Sequence, residues 1–83
     1  MIDSKTGCKI IVLIDSNEGP YIRISNWNDA DELEDLFSDK YDVLFEMKSP
    51  NDLVADGGKE YYFGSIADPI KLQQILDQIN LQK

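Results

Sequence analysis

The side chains with the greatest capacity for chemistry in this chain are carboxylates, and most of the excess lies in one short run. Residues 29–39 read Asp-Ala-Asp-Glu-Leu-Glu-Asp-Leu-Phe-Ser-Asp, with six carboxylates and no basic side chain. The chain has 16 acidic and 8 basic residues, so this run supplies most of the net charge of −8 and leaves −2 for the other 72 residues. Carboxylates can act as general acids or bases, bind cations, or present a negative surface to a basic protein.

The residues that would turn such carboxylates into a catalytic or metal site are missing from the sequence. There is no histidine, which removes the usual general base near neutral pH and the commonest zinc ligand. The single cysteine, Cys8, has no evident base beside it and is expected to lie semi-buried at the start of a strand. Residues 57–59 (Gly-Gly-Lys) lack the spacing of a phosphate-binding loop, and residues 51–57 lack that of a helix–loop–helix calcium site. We therefore predict a protein that is not an enzyme, with no catalytic residue, no cofactor and no metal site.

Size and composition limit the class of protein. A chain of 83 residues with 42% hydrophobic and 10% aromatic residues is expected to form one small globular domain over residues 1–83. No segment approaches the roughly 20 apolar residues that span a bilayer, and the N-terminus lacks a signal peptide. With only one cysteine, no internal disulfide can form. These features predict a cytoplasmic protein.

The charge balance narrows the choice of partner. The isoelectric point is near 4.2, and the seven lysines and one arginine are scattered along the chain. Binding to nucleic acid or to an anionic membrane draws on clustered basic side chains. We therefore expect no direct nucleic-acid binding and no membrane binding, and a basic protein surface as the partner.

Hydrophobic patterning predicts four strands. They cover residues 9–14, 21–25, 41–48 and 59–64, with turns at 15–20 and a long loop at 49–58. The first is apolar on both faces, with Ile10, Val12 and Ile14 on one and Ile11 and Leu13 on the other. It is therefore expected to be a central strand, or one whose second face is covered. In the third strand, Val43, Phe45 and Met47 are expected to face inward.

The acidic run predicts the first helix. Asp29 is expected to be its N-cap, with Glu32 completing a capping box, and its end is expected near Lys40. The 3.6-residue period divides the helix into two sides. The apolar side contains Ala30, Leu33, Leu36 and Phe37, and the opposite side contains Asp31, Glu32, Asp35 and Asp39.

A second helix is predicted to start at Asp68 as N-cap, with Pro69 in the first helical position. Its apolar stripe consists of Leu72, Ile75, Leu76 and Ile79. Its outer face is close to neutral and consists of Gln73, Gln74, Asp77, Gln78 and Asn80.

These elements predict an α+β fold in the order β-β-α-β-β-α, with a four-stranded, mainly antiparallel sheet and both helices on one face. A ubiquitin-like β-grasp sheet begins in the same order, and strand order stays open. Over nearly the whole chain, the order of elements also resembles that of the Phox-and-Bem type of interaction domain. That family uses an acidic loop against a basic strand of its partner. Here Asp52, Asp56 and Glu60 are spaced more loosely than such a loop requires.

Two interpretations of the acidic helix compete. A charged run is most often a solvated face. However, Asp31, Asp35 and Asp39 are spaced i, i+4 and i+8, and each like-charged neighbour costs a few tenths of a kcal/mol. The second helix shows that this chain can build an outer face without such repulsion. We therefore predict that Asp31, Glu32, Asp35 and Asp39 bind a partner.

The predicted function is that of a small acidic interaction module that inhibits or regulates a basic partner. A narrower version is an inhibitor whose six carboxylates imitate the phosphates of a nucleic acid. A different class of function is a dimeric ligand-binding domain or small enzyme with a cleft between subunits, and another is a structural subunit of a larger complex.

A homodimer is suggested by the apolar side chains expected on the sheet face away from the helices. They are Ile11, Leu13, Tyr21, Leu44 and Tyr62. A bare face of this kind would be unusual for a monomer, unless residues 53–54 fold over it. Trp27 is expected to be a core or staple residue.

Overall fold

The chain folds into one antiparallel sheet with helices packed against it, as a computed structural model describes for residues 1–79. The strands are β1 (Leu13–Asp15), β2 (Gly19–Asn26), β3 (Glu46–Lys48) and β4 (Gly57–Tyr62), in the order β1-β2-β4-β3. The helices are α1 (Trp27–Asp39), α2 (Asn51–Val54) and α3 (Pro69–Gln78). The predicted α+β class and four-stranded antiparallel sheet are confirmed. The element order matches only roughly, because α2 lies between β3 and β4.

The core lies between the sheet and the two longer helices. Alternation along β2 directs Ile22 and Ile24 to this side, where both are fully buried together with Tyr61 of β4. The predicted apolar side of α1 is confirmed, since Ala30, Leu33 and Phe37 are buried in the same cluster. From α3 and its C-cap the cluster receives Leu76 and Ile79.

Helix α1 begins three residues before its predicted start. Asn26 is the N-cap, and its side-chain oxygen accepts a hydrogen bond from the Asp29 amide at 3.0 Å. The predicted N-cap role of Asp29 is therefore wrong. Asp29 is the third helical residue, is fully buried, and accepts hydrogen bonds from the Ser4 amide at 2.9 Å and the Ser4 hydroxyl at 2.7 Å. The predicted end is confirmed, with Lys40 as C-cap.

Strand β1 is an edge strand of three residues, so the predicted central strand over 9–14 is wrong. The alternative, a strand with a covered second face, is wrong as well, because Ile11 and Leu13 on that face are exposed. The preceding segment turns back on itself, with Ile2 bridged to Lys9. The backbone groups of this segment that point away from β2 form hydrogen bonds with a side chain of α3. The Gln73 carboxamide accepts from the Val12 amide at 2.9 Å and donates to the Ile10 carbonyl at 3.2 Å. A side-chain amide thus takes the place of a neighbouring strand, which the periodicity of the apolar residues cannot reveal.

The chain between α1 and α3 has more helix and less strand than predicted. Strand β3 covers only the end of the predicted strand, and Met47 is 48% exposed instead of inward-facing. Strand β4 begins at Gly57. The predicted loop contains α2. The ion pair between Asp52 of α2 and Arg23 of β2 places α2 on the face of the sheet opposite to α1. Arg23 alternates with Ile22 and Ile24, so its side chain projects away from the core.

The start of α3 is as predicted. Asp68 is the N-cap and its side chain accepts a hydrogen bond from the Ile70 amide at 2.9 Å, with Pro69 at the first helical position. Of the predicted apolar stripe, Leu72, Leu76 and Ile79 are buried. The predicted outer-face residue Asn80 lies outside the described residues.

Candidate functional site

Four of the carboxylates in α1 form a row that the fold leaves to solvent. We call Asp31, Glu32, Asp35 and Asp39 the acidic ridge. Asp31, Asp35 and Asp39 are exposed and Glu32 is half-buried. Successive aspartates are four residues apart, so they lie on one side of α1, about 6 Å apart along its axis. Within residues 1–79 none of these four side chains makes a salt bridge or a side-chain hydrogen bond. The structure therefore places all four predicted site residues together on one surface.

The other two carboxylates of the acidic run serve the fold. Asp29 is buried beneath the N-terminal segment. Glu34 accepts a hydrogen bond from the Tyr61 hydroxyl at 2.7 Å and lies 3.5 Å from the Lys59 ammonium. The six-carboxylate surface expected from the sequence is therefore reduced to four.

An exposed tryptophan extends the acidic ridge at its N-terminal end. Trp27 is 59% exposed, so its expected core or staple position is wrong. It is the first residue of α1 and precedes Asp31 by four positions, which puts both on the same side of the helix. Sequence reasoning missed this because it started the helix at Asp29, after the tryptophan.

The backbone of β4 fixes the base of Trp27. The Trp27 amide donates to the Asp56 carbonyl at 3.0 Å. Gly57 follows with φ of +73°, and a Cβ built there would lie 2.5 Å from the Trp27 Cβ. Only glycine allows this approach, so the indole is held outward while its Cβ rests on the backbone.

The face of the sheet away from α1 combines aromatic rings and ion pairs. Strand register aligns Leu13, Tyr21, Tyr62 and Glu46 across all four strands. The Tyr21 and Tyr62 rings stack with centroids 5.0 Å apart. The Lys48 ammonium lies 4.4 Å from the Tyr62 centroid and forms an ion pair with Glu18.

Burial and a hydrogen bond from its hydroxyl to Glu60 raise the pKa of Tyr62 to about 12. The Arg23 Nε lies 2.9 Å from a Glu60 carboxylate oxygen and forms an ion pair with it. Of the apolar set expected on this face, Leu13, Tyr21 and Tyr62 share the row, and Leu44, 86% exposed, borders a groove beside Tyr62.

Across residues 1–79 no group of three or more histidine, cysteine, aspartate or glutamate side chains is placed to hold a metal ion. No helix in this part is both long and apolar enough to cross a bilayer. Cys8 is exposed, not semi-buried as expected.

Comparison with known proteins finds no match for this chain, whether with protein-family models, curated proteins or solved structures.

Proposed function

We propose that this chain is a small, non-enzymatic interaction module that binds a basic protein surface through the acidic ridge and Trp27, and thereby inhibits or regulates its partner. One observation carries the proposal. The four carboxylates of the acidic ridge share one side of α1 with the exposed Trp27, and within the described residues none of the four makes a salt bridge. Tryptophan is among the residues that most often dominate binding energy at interfaces.

The cost of the ridge to the fold supports a role in binding. Asp31, Asp35 and Asp39 repel one another at i, i+4 spacing, by a few tenths of a kcal/mol per pair. Asp39 is the last residue of α1, where the helix dipole disfavours a negative charge. A single lysine at position 35 or 39 would replace repulsion by attraction, and at position 39 it would also suit the helix dipole, so local stability does not account for Asp35 and Asp39.

The surface suits a partner segment rich in arginine or lysine. A guanidinium can stack on the face of Trp27 while a second basic side chain pairs with Asp31 or Asp35. The spacing of about 6 Å between ridge carboxylates matches that of basic residues four apart on a helix of the partner. Exposed ion pairs of this kind bind more weakly as salt rises.

A narrower form of the proposal is that the basic surface is itself a nucleic-acid-binding site. The four ridge carboxylates would then compete with phosphates for the same lysine and arginine side chains. Competition between this protein and DNA for a purified partner distinguishes this form from binding elsewhere on the partner.

The experiment is capture from native extract, followed by calorimetry on the purified partner over a salt series. Asp35→Lys and Trp27→Ala should each weaken binding at least tenfold. Glu46→Lys is the matched control, because it makes the same charge change at an exposed residue on another element and should leave affinity within about twofold. Affinity that is unchanged by salt, or equally reduced by Glu46→Lys, would contradict the proposal.

A further inference from the structure

The core of the molecule opens at the edge where β1 meets α3. A groove of about 370 Å³ lies there. Its lining consists of Val12, Ile14, Pro69, Ile70, Gln73 and Gln74. Ile14 is opposite the buried Pro20 and therefore on the helix side of the sheet, yet it is 62% exposed, and Ile70 across the groove is 69% exposed. Two large apolar side chains on the core side are thus left in water.

The backbone of Ile14 is also directed outward. In an antiparallel pair, the polar groups of one residue point either toward the partner strand or away from it. Pro20 has no N–H, and its carbonyl accepts from the Phe63 amide at 3.3 Å on the side of β4. The pair Ile14–Pro20 is therefore the non-hydrogen-bonded type, and the N–H and C=O of Ile14 face the open edge. Gln73 already satisfies the outward groups of Ile10 and Val12, so Ile14 is the position at which an added strand can pair with this edge.

The groove differs from the rest of the surface in its charge. None of its six lining side chains is ionisable. At the far end of α3, Asp77 lies 3.3 Å from the Lys9 ammonium, so this acid is also neutralised. A basic partner would find nothing in this lining to attract it. Asp15 of β1 and Asp68 at the start of α3 flank the groove, so a second chain of charge −8 would meet fewer carboxylates at this edge than at the acidic ridge.

We propose that this edge binds a second copy of the chain, with β1 of each copy paired antiparallel about a two-fold axis through Ile14. Such a self-complementary contact is the commonest form of oligomer. The axis is perpendicular to the sheet, so both α3 helices lie on the same side. Ile14 of one copy faces Ile14 of the other, and the two Ile70 side chains close the joined grooves. The two sheets become one sheet of eight strands.

Sedimentation equilibrium of the intact chain over a wide concentration range tests the proposal. The wild-type protein should dimerise. Ile14→Lys should weaken association by about a hundredfold or more, because one substitution places two charges at the centre of the interface and removes two buried apolar side chains. Ile70→Lys should act in the same direction. If the wild-type chain stays monomeric at every concentration, the proposal is wrong, and the groove binds another kind of molecule or none.

Leu44→Lys is the matched control, because Leu44 is 86% exposed and precedes the strand at the other edge of the sheet. It should leave dimerisation unchanged. Amide hydrogen exchange locates the contact, since protection of the Ile14 amide should increase with protein concentration. A dimer that persists in Ile14→Lys contradicts strand pairing at this edge. Asp35→Lys, which tests the acidic ridge, should not weaken the dimer, so the two proposals can fail separately.

Discussion

The Tyr61 hydroxyl donates a hydrogen bond to Glu34 at 2.7 Å and joins the central strand β4 to the acidic helix α1. Tyr61 is fully buried, and its hydroxyl also lies 3.3 Å from the Ala30 carbonyl. This contact distinguishes Glu34, which binds the sheet, from the carboxylates of α1 that face solvent. Glu34 follows Leu33 and turns toward the sheet, whereas Asp35, the next residue, turns to water.

Loss of this contact should destabilise the fold. Tyr61→Phe keeps the ring in the core but removes the shorter of the two contacts to Glu34, and a hydrogen bond to a charged group contributes about 1.5–3 kcal/mol. We expect a loss of that size in the free energy of unfolding in urea. Tyr21→Phe is the control, because the ring can still stack on Tyr62, and it should cost less than about 0.5 kcal/mol. Equal losses in the two variants would show that the Tyr61–Glu34 contact is unimportant.

The same variant should reduce the sensitivity of stability to alkaline pH. Burial and the bond to Glu34 raise the pKa of Tyr61 above its ordinary value of 10.0. The folded state therefore keeps the proton where the unfolded chain loses it. The resulting stabilisation is complete below about pH 10 and is lost as pH rises toward the folded-state pKa. A series of urea unfolding curves above pH 10 should fall more steeply for the wild-type protein than for Tyr61→Phe.

Acid should weaken the attachment of the N-terminal segment. Burial raises the pKa of Asp3, but hydrogen bonds from the Ser25 hydroxyl at 2.8 Å and from the amides of Thr6 and Lys5 outweigh it, and the pKa is lowered from 3.8. Because the pKa of Asp3 is lower in the folded than in the unfolded state, its ionised form stabilises the fold at pH values above the unfolded-state pKa. This stabilisation is lost as the pH falls through the folded-state pKa. Asp3→Asn should therefore cost about 1–3 kcal/mol at neutral pH.

The gap in unfolding free energy between the wild-type protein and Asp3→Asn should close as pH falls below about 4. Asp35→Asn, which removes an exposed carboxylate without a hydrogen bond, should not lower the free energy of unfolding at neutral pH. If the difference in unfolding free energy stays constant down to acid pH, the ionised carboxylate of Asp3 is not the source of the stabilisation.

The Gln73 carboxamide should be more sensitive to substitution than its position on the outer side of α3 suggests. It accepts from the Val12 amide and donates to the Ile10 carbonyl. Gln73→Glu keeps the acceptor but replaces the donor with a second oxygen facing that carbonyl, which should cost about 1–3 kcal/mol. Gln74→Glu makes the same charge change one residue later and should cost less than about 0.5 kcal/mol. Faster hydrogen exchange of the Val12 amide in Gln73→Glu alone would locate the effect.

The sequence predicted best where a local pattern decides the structure. The apolar period of α1 and the Asp68-Pro69 start of α3 depend only on neighbours within one or two turns, and both are confirmed. The grouping of the ridge carboxylates followed from the same helical period.

Sequence reasoning failed where distant groups compete for the same atoms. Asp29 has the right type for an N-cap, but Asn26 takes that position and Ser4, 25 residues earlier in the chain, engages the Asp29 carboxylate. The segment before β1 has the composition of a central strand, yet the side chain of Gln73 occupies its backbone groups. Neither partner can be identified from spacing, because loop closure brings it into place. The exposure of Trp27 was missed for a local reason, because Asn26 and Asp29 are both favourable N-cap types and the choice of Asp29 left Trp27 outside the helix.

Neighbouring carboxylates of α1 should respond to neutralisation in opposite directions. Asp35→Asn relieves two repulsions, with Asp31 and with Asp39, and should raise the free energy of unfolding by about 0.4–1 kcal/mol at low salt. Glu34→Gln removes the charge that Tyr61 and Lys59 face and should lower it by about 1–2 kcal/mol. Urea unfolding at low and high salt measures both, and only the gain in Asp35→Asn should shrink at high salt. Should Asp35→Asn instead destabilise the fold, Asp35 would have a structural role, and the argument that the acidic ridge is maintained for a partner would fail.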